Sequence, residues 1–445
     1  MSAVDVRPTV AKEKEPYLAD YAARTRNGST DPAWLRGLRA RAISSFRQLS
    51  FPSIRDEDWK YTSVAPILRV PFRAASGVEA GEQEEAVDAA RRATPAGANR
   101  LVFVNGHYAP DLSSVPSGPA TVAALSALPD AGGRVAEPHV GRYANYDRAT
   151  FTALNSALLG DVAVVHVPKG QTVDDPIYLT FVSNSQEGLT GSHTRVLVVA
   201  DESARATVVE TYLGVGEQQY FANAVTELAL GDGASVEHIK LIRESERAFH
   251  VGTTQVHQGR DSNLASVSIT IGAALARNDL NVVLDGEGAA CTLYGLYLTG
   301  GSQHVDNHTT IEHAKPHGTS RQVYKGILDG ASRAVFNGKV IVHKDAQRTD
   351  AQQTNRNLLL SGDATVDTKP QLEIFADDVK CTHGAAIGQL DEEALFYLRS
   401  RAMSEQTARN LLTYGFASEV VARISAEPLR EQLNEQLRSR LLQGW

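Results

Sequence analysis

The chain has 445 residues, 42% of them hydrophobic and 22% charged, with a formal net charge of −8. That length and balance suit a soluble protein with a large core or several domains, while the acidic charge argues against a general nucleic-acid binder, which needs a basic face. Cys291 and Cys381 are its two cysteines, which excludes a disulfide scaffold and points to a reducing cytoplasm; no apolar run nears the length of a membrane span.

The opening stretch MSAVDVRPTVAKEKEP carries no apolar region of the kind a secretory signal needs. Residues 1–30 read as polar and frayed. A helix is expected from Asp31-Pro32, with Asp31 as N-cap, Pro32 at the first helical position and Leu35, Leu38, Ala42, Phe46 and Leu49 at helical spacing. The Ala-, Gly- and Glu-rich stretch 75–99 reads as a helix between loops. Leu101–Val104 reads as a strand entering a tight turn at Asn105-Gly106. A short helix is expected over 148–158.

From about residue 160 to 380 one phrase keeps restarting: a Gly/Asp/Ser turn, a small residue, then alternating apolar positions. It begins at Ala200, Leu230, Gly259, Leu284, Leu328 and Leu360, with gaps of 30, 29, 25, 44 and 32 residues. This spacing suggests a solenoid whose units bury their apolar faces against neighbours, and the turn–strand grammar points to stacked strands. Val208, Val236, Ile239, Val267, Ile269, Leu293, Val340 and Val342 are the expected inward positions. Glycines are expected at the corners, where the backbone turns left-handed.

After Gly388 the texture becomes helical again. Asp391-Glu-Glu opens one helix with acids in its first turn, Ser404 caps a second, and Glu427-Pro428 opens a last, charged helix that reaches Trp445. The chain therefore divides into a mostly helical region 1–159, a β region 160–385 and a helical tail 386–445. The tail carries Leu395, Tyr397, Leu398, Leu411, Leu412 and Phe416, more apolar surface than it needs for itself. A partner is expected to dock on part of it, and removing 391–445 is expected to leave the β region folded.

The chemistry-bearing motifs are few. No G-x-x-x-x-G-K-[ST] loop occurs, so no nucleotide is expected on this chain by that route, and Gly231-Asp-Gly233 and Gly286-Glu-Gly288 read as turns between strands. No G-x-S-x-G elbow is present. Cys381 and His383, two apart on a strand, would share one face and offer a soft thiolate with an imidazole, a pair suited to iron, zinc or copper. On the residues alone the plainer reading comes first, a buried cysteine with a rim histidine. His304, Asp306, His308 and Glu312 also share strand parity, with His313 and His317 nearby; they fit a divalent-metal site or a polar outer face equally.

Ordered stretches then resemble the SufB/SufD family of iron–sulfur cluster assembly scaffold proteins. They are Phe51-Pro52, Glu57–Thr62 (EDWKYT), Leu101–Gly106, Phe151–Asn155, Arg277-Asn-Asp279, Tyr324–Ser332, Phe336–Lys339, Asp378–Ala385 and Phe396–Arg401, in order from about residue 50 to 425. The stretch Leu358–Pro370 has no cysteine, and Gly384 stands where SufB-type chains carry Glu, so the resemblance is to the SufD branch. Ala402 departs from the family's usual glycine, and a small backbone adjustment is expected there.

The resemblance implies a fold that is mainly β, a right-handed parallel β-helix flanked by N-terminal and C-terminal α-helical domains. It implies a non-catalytic scaffold that pairs with a SufB-like subunit through the β-helix ends and binds a SufC-like ATPase through the C-terminal helices. A transient iron or Fe–S cluster would form at the subunit interface, with the family's functional histidine falling on His383 and its neighbouring cysteine on Cys381. An exposed solenoid end would also let the isolated chain form a homodimer. Two other classes stay open on the residues: a β-helix carbohydrate-active enzyme and a purely structural self-assembling protein.

Overall fold

The computed structural model describes residues 7–26, 31–75, 83–95, 97–115, 118–184 and 189–443. Its centre is a parallel β-solenoid. From Val162 onward the chain alternates between two ten-stranded sheets, so each strand pairs with the next but one in sequence. One column of Cα partners runs Arg205, Ser235, Asn263, Ala290, Thr319, Asp350, Lys380. The uneven repeat spacing follows from this path. The first four phrases lead into strands of one sheet, Arg205–Gly214, Ser235–Arg243, Asn263–Ile271 and Ala290–Thr299. The last two lead into Arg333–Val342 and Thr365–Ile374 of the other. The long gap is one and a half turns.

The corners before the strands of the first sheet explain how the turns stack. Ser203, Gly233, Asp261, Gly288, His317 and Arg348 all have φ between 52 and 71°. Each donates its N–H to a carbonyl of the next corner, at Asp232, Arg260, Glu287, Pro316, Gln347 and Asp378, over 2.6 to 3.1 Å. The left-handed backbone thus extends the ladder around the corner. Four of the six residues are not glycine, so the expectation of glycine corners is corrected: the bond made by each N–H offsets strain of about 1–2 kcal/mol.

The inward positions are also corrected in part. Val208, Val236, Leu293, Val340 and Val342 lie in the solenoid core. Ile239, Val267 and Ile269 are buried on the opposite face of their sheet. Both faces of those strands are covered, so alternation alone could not tell them apart.

The helices do the covering. At the front are α1 (Arg7–Arg26), α2 (Ala33–Gln48), α3 (Ala65–Leu68), α4 (Gln83–Ala93) and α5 (Thr150–Leu158). Tyr17, Ile43, Phe46 and Phe151 from this region pack on Phe221, Phe249 and Leu275 of one sheet's outer face. Residues 7–26 are therefore helical rather than frayed, and residues 1–6 and 27–30 lie outside the described set. Lys14, 3% exposed, donates to the carbonyls of Phe46 at 2.7 Å, Arg47 at 3.2 Å and Leu49, where it caps the C-terminal end of α2. At the other end of α2 the N-cap is Pro32, one residue later than expected; its carbonyl accepts from Arg36 N at 3.0 Å. Asp31 instead pairs with Arg39 at 2.8 Å.

The tail forms α6 (Glu392–Ser400), α7 (Glu405–Val421) and α8 (Glu427–Gln443); Trp445 lies outside the described residues. Ser404 accepts from Thr407 N at 3.1 Å and caps its helix as read, while Asp391, read as part of the first turn, is the N-cap and accepts from Glu393 N at 2.8 Å. Val420, Val421, Leu429, Leu433 and Leu437 from α7 and α8 seal Ile239, Leu241, Ile269 and Leu298. Stripping 391–445 would expose that apolar face, so the tail is not separable as expected. Among the described residues no helix is long and apolar enough to cross a membrane.

Candidate functional site

The two ends of the solenoid differ. At the first end the sheets are finished by antiparallel strands, Thr121–Ala124 on Val162–Val167 and His107–Tyr108 on Asn99–Val104, the latter through Asn105 and Gly106 with φ of 51 and 82°. At the last end Thr365–Ile374 and Lys380–Gly388 each pair on one side only. Every residue from Thr382 to Gly388 is exposed, and Ile374, Phe375 and Ile387 are 40%, 64% and 49% exposed. A raw edge of this kind is a template for another chain.

Cys381 and His383 stand on that last strand. Cys381 is the Cα partner of Ala351 and His383 of Gln353. Both take the inward parity of the turns beneath, so the structure brings thiol and imidazole to one face, as their spacing predicts. Cys381 is half-buried and packs against the core; His383 is open to solvent. Burial pushes the Cys381 thiol above its ordinary pKa, and nearby Asp350 adds to the effect, so without a metal or a cation its thiolate is disfavoured. Imidazole and thiol are suitable donors for iron. Among the described residues no third His, Cys, Asp or Glu joins them in a metal-holding group, so a complete coordination sphere needs ligands from elsewhere. Cys291 lies three rungs below Cys381 in the same column, buried in the core, and burial pushes its thiol up to about 12.

The His304–His317 segment does different work. His304, Asp306, His308 and Glu312 share the outer face as read, but their bonds are internal. Asp306 accepts from Arg277 at 2.7 Å and from Thr62 at 2.5 Å, and His304 lies 2.9 Å from Thr62. His308 sits 3.0 Å from Asp306, and Arg277 stacks on the Trp59 ring at 3.9 Å and donates to the Asp58 carbonyl at 2.6 Å. His343 and Glu312 are 2.6 Å apart. His313 points inward onto Ser320 at 2.9 Å, and His317 holds a corner. This is a clasp between the Glu57–Thr62 motif and the sheet, which favours the polar-face reading over the metal one. The Arg195–Glu227 pair is a second clasp: it is fully buried, and Glu227 also accepts the N–H groups of Gly141, Tyr143 and Ala144 at 2.8 to 2.9 Å.

A buried charged group escaped the sequence reading. Glu210, His238, Lys240, Glu244 and His250 lie inside the solenoid. Glu210 bonds His238 at 2.9 Å, and His250 Nδ1 bonds Glu244 at 3.0 Å. Burial alone would raise the Glu210 pKa, but His238 and Lys240 overcome it and hold the carboxyl down to about 2. The signal was present: charged letters at inward parity in ATVVETYL and VEHIKLI.

Comparison with known proteins agrees with this architecture. The pattern of the SUF system FeS cluster assembly SufBD core domain matches residues 181–416, and that of the SufBD protein N-terminal region matches residues 12–179. The chain is 35% identical over 422 residues to an iron–sulfur cluster assembly SufBD family protein of Synechocystis sp., covering 91% of each. It is 32% identical over 408 residues to the iron–sulfur cluster assembly protein SufD of Escherichia coli, covering 90% of this chain and 92% of that one. SufD of Bacillus subtilis is 26% identical over 442 residues, covering 94% and 96%. On the strength of both matched regions and these near-full-length relatives, the chain belongs to the SufB/SufD family of iron–sulfur cluster assembly proteins and is SufD-like within it.

Proposed function

We propose that this chain is a non-catalytic scaffold subunit of a cytoplasmic Suf assembly complex. It supports iron entry and the assembly of a nascent Fe–S cluster, which is cargo rather than a resident group, at an interface with a SufB-like subunit. His383 supplies a ligand to that cargo, with Cys381 beside it. The C-terminal helices engage a SufC-like ATPase, which supplies the nucleotide chemistry. One observation carries the reading: the open last turn presents His383 on an unpaired edge flanked by exposed Phe375 and Ile387. An exposed metal donor on a strand template needs a second chain to finish both the sheet and the coordination sphere. The same end gives the isolated chain a route to a homodimer.

The test is co-purification with SufB-like and SufC-like proteins, followed by anaerobic loading with iron and sulfide. The wild-type complex is expected to develop the absorption of an Fe–S cluster, and the complex containing His383→Ala is expected to assemble without it. A full cluster yield from the variant complex overturns the ligand role.

A further inference from the structure

Register divides the solenoid interior lengthwise. One side is apolar, as in the column Leu228, Val256, Val282, Ile311, Val340. The other side is polar. Thr194, Gly252, Asn278, Asn307 and Thr368 share a column in one sheet, interrupted by Ala224 and Phe336. Facing them, His238, Ser266, Gln322, Gln353 and His383 share a column interrupted by Leu293. Glu210, Lys240, Ser268 and Asn355 lie in the column beside it, interrupted by Gly295 and Tyr324.

This lane is blind. One end is stopped by Phe103, Phe181 and Tyr212, consecutive partners in register whose rings stack at 5.2 and 4.8 Å. Toward the other end cover falls away: Gln353 is 2% exposed, Thr368 is half-buried and His383 is open.

The walls have spare hydrogen-bonding capacity. His250 Nε2, Asn278 Oδ1, Asn307 Nδ2, Gln353 Oε1 and Thr368 Oγ1 have no hydrogen-bond partner among the described residues, and all five face the lane. Leaving each such group dry costs roughly 1–3 kcal/mol, and native proteins meet the need with bridging water. The tips converge most closely over Gly252, where a Cβ would meet His250 Nε2 at 2.9 Å, Lys240 Nζ at 3.0 Å and Asn278 Oδ1 at 3.4 Å. Their roles are fixed. The Glu244 carboxylate can only accept, so His250 Nδ1 carries the hydrogen and Nε2 a lone pair. Asn278 Nδ2 donates to Ser268 at 3.2 Å, which leaves Oδ1 as an acceptor. Lys240 gives one bond to Thr254 at 3.3 Å and has further N–H groups to offer. A water that accepts from Lys240 and donates to His250 and Asn278 satisfies all three.

We propose that the lane binds bridging waters at two places, the Lys240–His250–Asn278 group and the Gln353–Thr368 rung beneath His383, where it opens to solvent; Tyr324 and Phe336, with ring centroids 5.1 Å apart, separate the two. Where His383 holds iron, a reading that rests on the function proposed above, the outer waters at the Gln353–Thr368 rung stand directly behind the metal-bearing rung. A partner seated on the open turn seals it.

The test is water-oxygen magnetic relaxation dispersion on the full-length chain, which detects waters held inside a protein. The expected result is a slow internal-water signal that loses part of its amplitude in Asn278→Leu and in Gln353→Leu. No slow signal from the parent, or full amplitude in folded variants, overturns the proposal. Should the variants fail to fold, a high-resolution crystal structure of the parent decides: waters bonded to Asn278 Oδ1 and Gln353 Oε1 are expected, and a dry lane overturns it. His383→Ala separates the two readings, because it should keep the water signal whether or not cluster assembly is lost.

Discussion

His383 is the Cα partner of Gln353 in the last strand pair of its sheet, yet Gln353 is 2% exposed while His383 stands open. One rung separates a core position from a surface one, because nothing pairs beyond Lys380–Gly388. The imidazole therefore keeps the direction of a core side chain while reaching solvent, a geometry that pre-aims it at whatever covers the end.

That placement separates the effects of the two donors on stability. His383→Ala should leave the urea midpoint nearly unchanged, within about 0.5 kcal/mol, because the side chain is exposed. Cys381→Ala should cost more, since its side chain packs against the core. Equilibrium unfolding of both variants beside the wild type checks this; a large loss from His383→Ala would mean that the strand end is packed in the free protein.

Acid should unfold the protein earlier than its carboxylates alone dictate. Burial holds His193 down to about 3 and His313 down to about 4. Both folded pKa values lie below the unfolded value near 6.5, so the unfolded chain binds the extra protons. Stability is then full above about pH 6.5 and falls as pH drops toward 4 and 3. Glu210, held down to about 2, adds a further loss below its unfolded value of about 4.5. The urea midpoint should start to decline near pH 6.5, and a midpoint flat down to pH 5 would contradict the burial of both histidines.

Ala402 offers a gain. It occupies the residue after the α6 C-cap with φ of 66°, donating to Arg399 O at 3.1 Å while Met403 N donates to Leu398 O at 3.4 Å. These are the two bonds of a Schellman turn, which favours glycine at this position. The backbone has not adjusted to the alanine, contrary to the sequence expectation; it keeps the left-handed form. Ala402→Gly should raise stability by up to about 1 kcal/mol, read as a higher thermal midpoint. No change would show that the turn relaxes in solution.

Arg195 tests the front clasp. It is fully buried against Glu227. Arg195→Ala leaves that carboxylate without its counter-ion in the interior, held by the N–H groups of Gly141, Tyr143 and Ala144, a loss of about 3–5 kcal/mol. A shift below about 1 kcal/mol would show that water replaces the guanidinium.

Repeat spacing was enough to read the solenoid, and the Ser404 cap and the helix start at Asp391 were legible because a helix start depends on a few adjacent residues. Ile239 and Val267 were misassigned because strands covered on both faces carry apolar residues at both parities. The Arg277–Asp306–Thr62 clasp joins residues far apart in sequence, and no local pattern reveals such a contact. His383 was legible as a candidate through its spacing from Cys381 and the family resemblance; its position at the unpaired edge comes from the strand order.

The tail should bind through α6 rather than along its whole length. α7 and α8 are committed to the sheet, with Val420, Leu429 and Leu433 buried there and Lys325 donating from the sheet to the Phe416 carbonyl at 3.1 Å. No residue of α6 is buried, and its Phe396 and Tyr397 are 74% and 57% exposed. Adjacent exposed aromatics are a common form of interface anchor. Phe396→Asp should therefore abolish capture of a SufC-like ATPase while leaving the thermal midpoint within a degree or two, since most of that side chain already faces solvent. Leu433→Asp should instead unfold the tail by placing a charge against Ile239 and Leu298, and would lose capture only through that damage. Circular dichroism of both variants beside an affinity pull-down distinguishes the cases. Wild-type capture by a folded Phe396→Asp protein would remove α6 from the interface and move the docking surface elsewhere on the tail.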